Sequence, residues 1–242
     1  MKRLPVIYFL LPFIGVLTTV PMAVFYQKKL SLIFHHKVGS EELVPGNSYT
    51  TPLGENITIQ KFRYYVSHFA VTDKLGKTTI LPVNYFLVDE ADSASKIISL
   101  AVPDMAIRSV QFLLGVDSIR NVTGVQTGTL DPVNGMFWTW NSGYIMARLE
   151  GTSASSTIAG HYFTYHIGGF KGENNTLKTI VLTIPETKGT LHEIHINADI
   201  NTWFKNKTEL RIAESPVCHM PGPLAKKIAD NYSSMFSINA VR

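Results

Sequence analysis

The chain has 242 residues and a formal net charge of +4, with 45% hydrophobic and 17% charged residues. This balance is that of a globular protein and excludes a chain kept disordered by its charge. The basic residues are scattered without interleaved aromatic residues, which disfavours nucleic-acid binding. The only cysteine is Cys218, so an internal disulfide and a cysteine-rich zinc or iron–sulfur site are both excluded.

The first 26 residues have the layout of an export signal. Two basic residues precede an almost uncharged apolar run from Leu4 to Phe25. The run is long enough to approach a membrane span, and residues 21–23 make a poor cleavage site. We therefore predict that residues 1–26 are a signal peptide or a retained anchor, with cleavage favoured. The rest of the chain is expected in the periplasm or at the cell surface, with a membrane contact only through an uncleaved segment.

From about residue 30, short segments rich in Val, Ile, Thr, Tyr and Phe alternate with Gly, Pro, Asn and Asp. Examples are "NITIQKFRYYVSHFAVTD", "HYFTYHIGG" and "LHEIHINADI", which predict strands of a β-sandwich. The clear helical pattern is "PGPLAKKIADNYSSMF", where Leu224, Ile228 and Tyr232 recur every four residues. No repeat and no Gly/Ser-rich linker appears. We predict an all-β fold, a single β-sandwich domain over residues 30–242 with a short C-terminal helix.

Histidine is the residue type that this sequence offers for metal binding. The eight histidines are His35, His36, His68, His161, His166, His192, His195 and His219. On a strand, His195, Asn197 and Asp199 would share a face, whereas His35 and His36 would face opposite sides. A site must therefore combine different strands. Imidazole suits copper, zinc and iron, but a single strand histidine is more often a surface or hydrogen-bonded residue, so both interpretations stay open.

Other kinds of site have weaker support. The sequence contains no G-x-S-x-G elbow, no phosphate-binding loop, no dinucleotide fingerprint and no H-E-x-x-H motif. Two turn segments, "GVDSIRN" and "GTLDPVNG", carry oxygen-bearing side chains that could hold a hard cation such as calcium. These side chains are Asp117, Asn121, Asp131 and Asn134. Their spacing is not that of an EF-hand, and Asp and Asn are ordinary turn formers, so structural turns are favoured.

Several stretches, taken together, point to a family. They include "YYVSHFAVTD", "FTYHIGG", "EIHINADINTWF" and the segment that runs from "LLGVDS" to "GMFWTWNSGY". From about Leu30 to Phe236 the chain resembles the MbnP family of exported copper-binding proteins. The resemblance implies a β-sandwich that binds one copper ion through histidines. In some members a tryptophan oxidised to kynurenine adds a nitrogen ligand, and a di-haem protein similar to bacterial cytochrome c peroxidases makes that modification.

The same resemblance implies candidate residues. By motif, His166 in "YHIGG" and His195 in "EIHINAD" are the main candidate copper ligands. His36 in "FHHKVG" stands where the family's first strand often has F-x-H. His68 stands where the family more often has asparagine, so it is either an extra ligand or an incidental polar residue.

The tryptophans of "GMFWTWNSGY" have two interpretations. Trp138 and Trp140 belong to the family's most recognisable motif, and an aromatic core cluster is the favoured explanation. The alternative is that they relay a radical or that one of them is oxidised by the partner protein. Trp203 in "DINTWF" is a third candidate, for which packing is again favoured.

Two functional hypotheses follow. The first is a non-enzymatic copper-binding protein that captures, stores or delivers one copper ion outside the cytoplasm, with the oxidation state left open. The second is an interaction module that partners a di-haem cytochrome c peroxidase-like protein, with metal incidental. The two differ in geometry, since ligands of a shared ion need imidazole nitrogens from two strands about 4 Å apart.

Overall fold

The structure is a computed structural model that describes residues 27–139, 143–186 and 189–242. The predicted signal or anchor segment, residues 1–26, lies outside the described residues. The strands in the described ranges are β1 (Gln27–Val38), β2 (Glu41–Glu42), β3 (Ser48–Thr50), β4 (Asn56–Asp73), β5 (Thr78–Ile80), β6 (Tyr85–Asp89), β7 (Ile97–Pro103), β8 (Ile107–Leu114), β9 (Phe137–Trp138), β10 (Gly143–Thr152), β11 (Tyr162–Gly168), β12 (Lys178–Thr183), β13 (Glu193–Asp199), β14 (Val217–Cys218) and β15 (Phe236–Val241). The α-helices are α1 (Ser118–Val122), α2 (Asn201–Phe204) and α3 (Pro223–Tyr232).

The strands form two sheets. The smaller sheet has the order β15-β13-β1-β2, and β7 also pairs with β1. Within it, β1 and β13 run parallel, with Ser31 opposite Glu193 and Lys37 opposite Asp199. The larger sheet has the order β12-β8-β4-β10-β11-β14, with β3, β5 and β6 along β4 and with β9 on β10.

The main hydrophobic core lies between the two sheets. Along β1, Leu32 and Phe34 are buried in this core, while the residues that alternate with them are half-buried on the other face. The Phe34 ring lies 6.0–6.2 Å from the rings of Tyr64, Phe112 and Phe236. Because these rings come from β4, β8 and β15, they join both sheets, which confirms the predicted sandwich.

A second hydrophobic cluster covers part of the opposite face of the larger sheet, and we call it the outer core. Its buried members are Tyr65, Val116, Leu130, Met136, Trp138, Tyr144, Ile145 and Met146. Tyr64 and Tyr65 are successive residues of β4, so the first faces the main core and the second the outer core. The segment that leads to the tryptophan motif is thereby held against the sheet.

The C-terminal helix is confirmed as α3, but it ends at Tyr232. The following residues turn and form β15, which pairs with β13 at the edge of the smaller sheet. The alternation in "FSINAV" is short and ends in a polar tail, so it gave little signal of a strand. None of the helices in the described ranges is both long enough and apolar enough to cross a membrane.

The four oxygen-bearing residues proposed for calcium all take part in turn structure. Asp117 caps α1 by accepting hydrogen bonds from the backbone N–H groups of Ile119 and Arg120. Asp131 caps a 3-10 turn, and the Asn134 amide donates to two backbone carbonyls. Asn121 donates to the Val116 carbonyl at 2.7 Å. These bonds agree with the favoured structural interpretation, and a calcium site there stays a prediction.

We expect Asp117→Ala to lower the free energy of unfolding by about 1–2 kcal/mol, because it removes the α1 cap. It also removes the carboxylate that accepts a hydrogen bond from the Tyr85 hydroxyl. Urea unfolding measures the loss. Asp117→Asn, which keeps a capping oxygen, should lose less, and equal losses for the two variants would contradict the capping role.

Candidate metal centre

His36 lies inside the sandwich and has protein partners on both ring nitrogens. Its Nδ1–H donates to the Glu90 carboxylate at 2.7 Å, and the Tyr64 hydroxyl donates to its Nε2 at 3.1 Å. Burial lowers the pKa of His36, although the hydrogen bond to Glu90 acts in the opposite direction. The ring is therefore held neutral between two partners.

His68 lies in a β-bulge of β4, where the pairing with β8 skips from Ser67 to Ala70. Its φ is 51°, a left-handed conformation that few non-glycine residues adopt. Since the Ser67 hydroxyl donates to the Gly115 carbonyl, His68 Nδ1–H donates to Ser67 Oγ at 3.0 Å. His68 Nε2 lies 3.7 Å from the Asp117 carboxylate. The bulge turns this imidazole towards the start of α1.

His166 lies on β11, on the outer face of the larger sheet, and it contacts a second imidazole. Its ring stacks on that of His219, with centroids 4.3 Å apart and an interplanar angle of 25°. His166 Nε2 lies 2.6 Å from Glu150 Oε1, and His219 Nε2 lies 2.6 Å from Thr164 Oγ1. Burial lowers the pKa of His219, with a further contribution from His166.

Glu150 connects His166 to two basic side chains of the larger sheet. Its carboxylate lies 2.6 Å from His166, 2.6 Å from Arg148 and 3.3 Å from Lys61. Burial acts to raise the pKa of Glu150, but the hydrogen bonds and charges of His166 and Arg148 outweigh it and lower the pKa to about 2. The carboxylate is therefore ionised at neutral pH and is a strong acceptor for the imidazole N–H.

His195 lies on β13, on the outer face of the smaller sheet, and it also contacts a second imidazole. His35 Nε2 on β1 lies 2.9 Å from His195 Nδ1, and the ring centroids are 5.2 Å apart. Burial lowers the pKa of His35, followed by the influence of His195. His195 Nε2 lies 3.6 Å from the Glu193 carboxylate.

The structure does not bring His166 and His195 together. Each alternates with residues of the main core, so each points away from that core on its own sheet. Because the two sheets pack face to face, the two imidazoles lie on opposite outer faces of the sandwich. His36, in the core, and His68, at the bulge, lie in two further places. Within the described ranges, no group of three or more His, Cys, Asp or Glu side chains has the geometry of a metal site.

The structure instead forms two histidine pairs, each with a member that the sequence analysis did not single out. On β1, strand alternation places His35, and not its neighbour His36, on the same outer face as His195. His219 lies after β14, which pairs with β11 for only two residues. No periodic pattern in "VCHMPGP" indicates that this segment pairs with β11, so the contact of His219 with His166 could not be predicted from the sequence.

Trp138 packs in the outer core, with 5% of its surface exposed. A Cβ built on Gly168 would lie 2.6 Å from its ring, so the glycine allows the indole to rest on the backbone of β11. Gly168 is two residues from His166 on the same strand, which places the indole about 7 Å along the strand from that imidazole. Trp140 lies outside the described residues. Trp203 is fully buried, with its ring centroid 4.7 Å from that of Tyr232.

The comparisons with known proteins agree with this architecture. The MbnP family model matches residues 27–220, most of the chain. Among solved structures, MbnP from Methylosinus trichosporium is similar, with a TM-score of 0.56 and 17% sequence identity, over 82% of this chain and 83% of that chain. No curated protein matches the sequence. Since the family model covers well over half of the chain, this β-sandwich protein belongs to the MbnP family.

Proposed function

We propose that this protein is an exported, non-enzymatic copper-binding protein that holds one copper ion at the His166–His219 pair. The observation that supports this is that two imidazoles from separate segments stack 4.3 Å apart with Nε2 of each ring held by a protein oxygen. The role would be capture, storage or delivery of copper in the periplasm or at the cell surface. The export pattern of residues 1–26 supports that location.

The hydrogen bonds determine which nitrogen each ring offers. When Nε2–H of His166 donates to Glu150, the proton is on Nε2 and the lone pair is on Nδ1. The same holds for His219 when its Nε2–H donates to Thr164. An oxygen that fixes the outer nitrogen of a ligating histidine is the usual second partner in metal sites. Both Nδ1 atoms are therefore the nitrogens that would bind the ion. Because the lone pair of each lies in its ring plane, one of the two stacked rings must tilt before both face the same ion.

The chemistry of the donor set favours copper with nitrogen ligands. Cys218 is adjacent to His219 in sequence, but its thiol faces the main core, and burial raises its pKa to about 11. Cys218 pairs with Tyr165, a main-core residue, so its thiol lies on the opposite face of the sheet from the two imidazoles and is not part of their donor set. Two imidazoles suit Cu(I), and Cu(II) would need a further nitrogen or oxygen ligand.

The position of Trp138 extends the proposal to a partner. Its indole lies on the same outer face, close to His166, where an oxidised tryptophan could contribute to the same ion. A di-haem cytochrome c peroxidase-like protein that oxidises Trp138 or Trp140 is part of this proposal. The intact mass of protein isolated from its own organism would report the removal of residues 1–26, the bound metal and any oxygen added to tryptophan.

The copper site itself is tested by alanine variants. We expect His166→Ala and His219→Ala each to weaken Cu(I) binding at this pair on the order of 100-fold, measured anaerobically by competition with bicinchoninate. His192→Ala is the matched control, because it removes an exposed histidine outside both pairs. Unchanged uptake in both pair variants would refute the site. A wild-type protein that takes up no copper would instead support the interaction-module hypothesis.

A further inference from the structure

We infer that His35 and His195 form a second, separate binding site for a soft monovalent cation such as Cu(I), on the outer face of the smaller sheet. This inference goes beyond the proposed function, because it involves other residues on the opposite side of the sandwich. It gives the molecule two cation sites with the main core between them.

The geometry of the pair follows from two adjacent parallel strands. On β1 and β13, Ile33 is opposite His195 and His35 is opposite Asn197, so both imidazoles project from the same face. Their facing nitrogens, Nε2 of His35 and Nδ1 of His195, are 2.9 Å apart. A single proton lies between these two nitrogens. If it were removed, each nitrogen would have a lone pair facing the other. A rotation that opens this gap to about 4 Å places both nitrogens about 2 Å from an ion between them.

The surroundings of His195 favour the required tautomer. The Glu193 carboxylate lies 3.6 Å from Nε2, longer than a hydrogen bond, and its charge favours a proton on that nitrogen. Nε2 is buried and has no hydrogen-bond partner among the described residues. With the proton on Nε2, the Nδ1 lone pair of His195 points at His35. In the metal-free pair, His35 Nε2–H then donates to it.

Protons and charges balance when the cation binds, and no redox step is needed. The ion replaces the proton on His35 Nε2, and that proton is lost to solvent while His35 takes up another on Nδ1. Both rings stay neutral, and one N–H···N hydrogen bond is exchanged for two nitrogen–metal bonds. No oxidant or reductant is consumed, so a Cu(I) ion would be bound in the state in which it arrives.

The number of donors selects the kind of ion. Zinc in a structural site takes four ligands in a tetrahedron, whereas two imidazole nitrogens satisfy a d10 monovalent ion. The pairing of β1 with β13 also brings a neutral oxygen to this site, because Asn197 lies opposite His35. Oδ1 of Asn197 is buried and has no hydrogen-bond partner among the described residues. The charges that act on His35 are of both signs, the positive ones from Lys37 and Lys96 and the negative one from Glu42. These mixed charges disfavour a divalent ion that needs anionic ligands.

Counting bound ions in the full chain tests the inference. Under anaerobic reducing conditions, with bicinchoninate as competitor, we expect wild-type protein to bind two Cu(I) ions and His35→Ala or His195→Ala to bind one. His192→Ala should still bind two. With Ag(I) as a probe, 15N-labelled histidine spectra should show silver coupling to Nε2 of His35 and Nδ1 of His195. Thermal unfolding without metal checks that each variant is folded.

The possible outcomes separate the two sites. If wild-type protein binds one ion that is lost in His166→Ala and kept in His35→Ala, the inference is overturned and the proposed function stands. If the one bound ion is lost in His35→Ala and kept in His166→Ala, the inference stands and the proposed site is wrong. If His195→Ala is unfolded, His35→Ala and the silver spectra decide the result.

Discussion

Replacing Gly168 with alanine is expected to lower the free energy of unfolding by about 3 kcal/mol. A Cβ at this position would lie 2.6 Å from the Trp138 ring and 2.7 Å from the Tyr144 carbonyl oxygen. Both neighbours must give way. The indole must leave its position, and the carbonyl, which belongs to the neighbouring strand β10, can shift only by distorting the pairing of β10 with β11. Chemical denaturation measures the loss, and tryptophan fluorescence reports the displaced ring.

Gly222→Ala provides the control for this experiment. No heavy atom lies within 4 Å of a Cβ built there, so we expect a change of less than about 1 kcal/mol. If Gly168→Ala were as stable as this control, the close packing of Trp138 on β11 would be wrong. We also expect Gly168→Ala to weaken copper binding at the His166–His219 pair, because the displaced indole is next to that site.

Glu150→Gln is expected to lose about 2–3 kcal/mol of stability at pH 7 and almost none near pH 2. The folded-state pKa is lowered to about 2 from an ordinary value of 4.5. Stability from this carboxylate is therefore fully present above pH 4.5 and is lost as the pH falls towards 2. The side chain is 14% exposed, and this partial solvent screening is why the expected loss is below the full value of the shift.

Urea unfolding of wild type and Glu150→Gln at several pH values between 2 and 7 checks this expectation. Glu42→Gln is the matched control, because Glu42 pairs with Lys37 at 3.3 Å but is 62% exposed. We expect this control to differ from wild type by less than about 0.5 kcal/mol at every pH. A constant difference between wild type and Glu150→Gln across the range would show that Glu150 is not ionised in the way its hydrogen bonds indicate.

Much of the architecture could be predicted from local patterns. The segment predicted from "NITIQKFRYYVSHFAVTD" is β4 from its first residue to its last, and "HYFTYHIGG" contains β11. Along β11, buried residues alternate with more exposed ones from Tyr162 to Ile167, so burial on one face imposes an alternation that is visible in the sequence. β4 is buried on both faces around Tyr65, and its β-branched and aromatic residues are the signal that predicts it as a strand. Two of the stretches that carried the family resemblance are also explained by one contact. Trp138 of "GMFWTWNSGY" packs on Gly168 of "FTYHIGG", where a side chain would collide with its ring.

The candidate site was harder to predict, because local sequence periodicity does not indicate which distant strands pair with each other. Strand alternation correctly predicted that His35 and His36 face opposite sides of β1. Only the register of β1 with β13 shows that His35 lies beside His195. The bulge at His68 interrupts the regular alternation of β4. His219 reaches His166 through a strand of two residues, too short to leave a pattern.

The parallel pairing of β1 with β13 also determines when the His35–His195 pair can form. Residues 31–37 align with residues 193–199, so these two strands can pair only after most of the chain is available to fold. A partly emerged chain has His35 without its counterpart. The two imidazoles can therefore meet only in the folded chain, after β13 has taken its place beside β1.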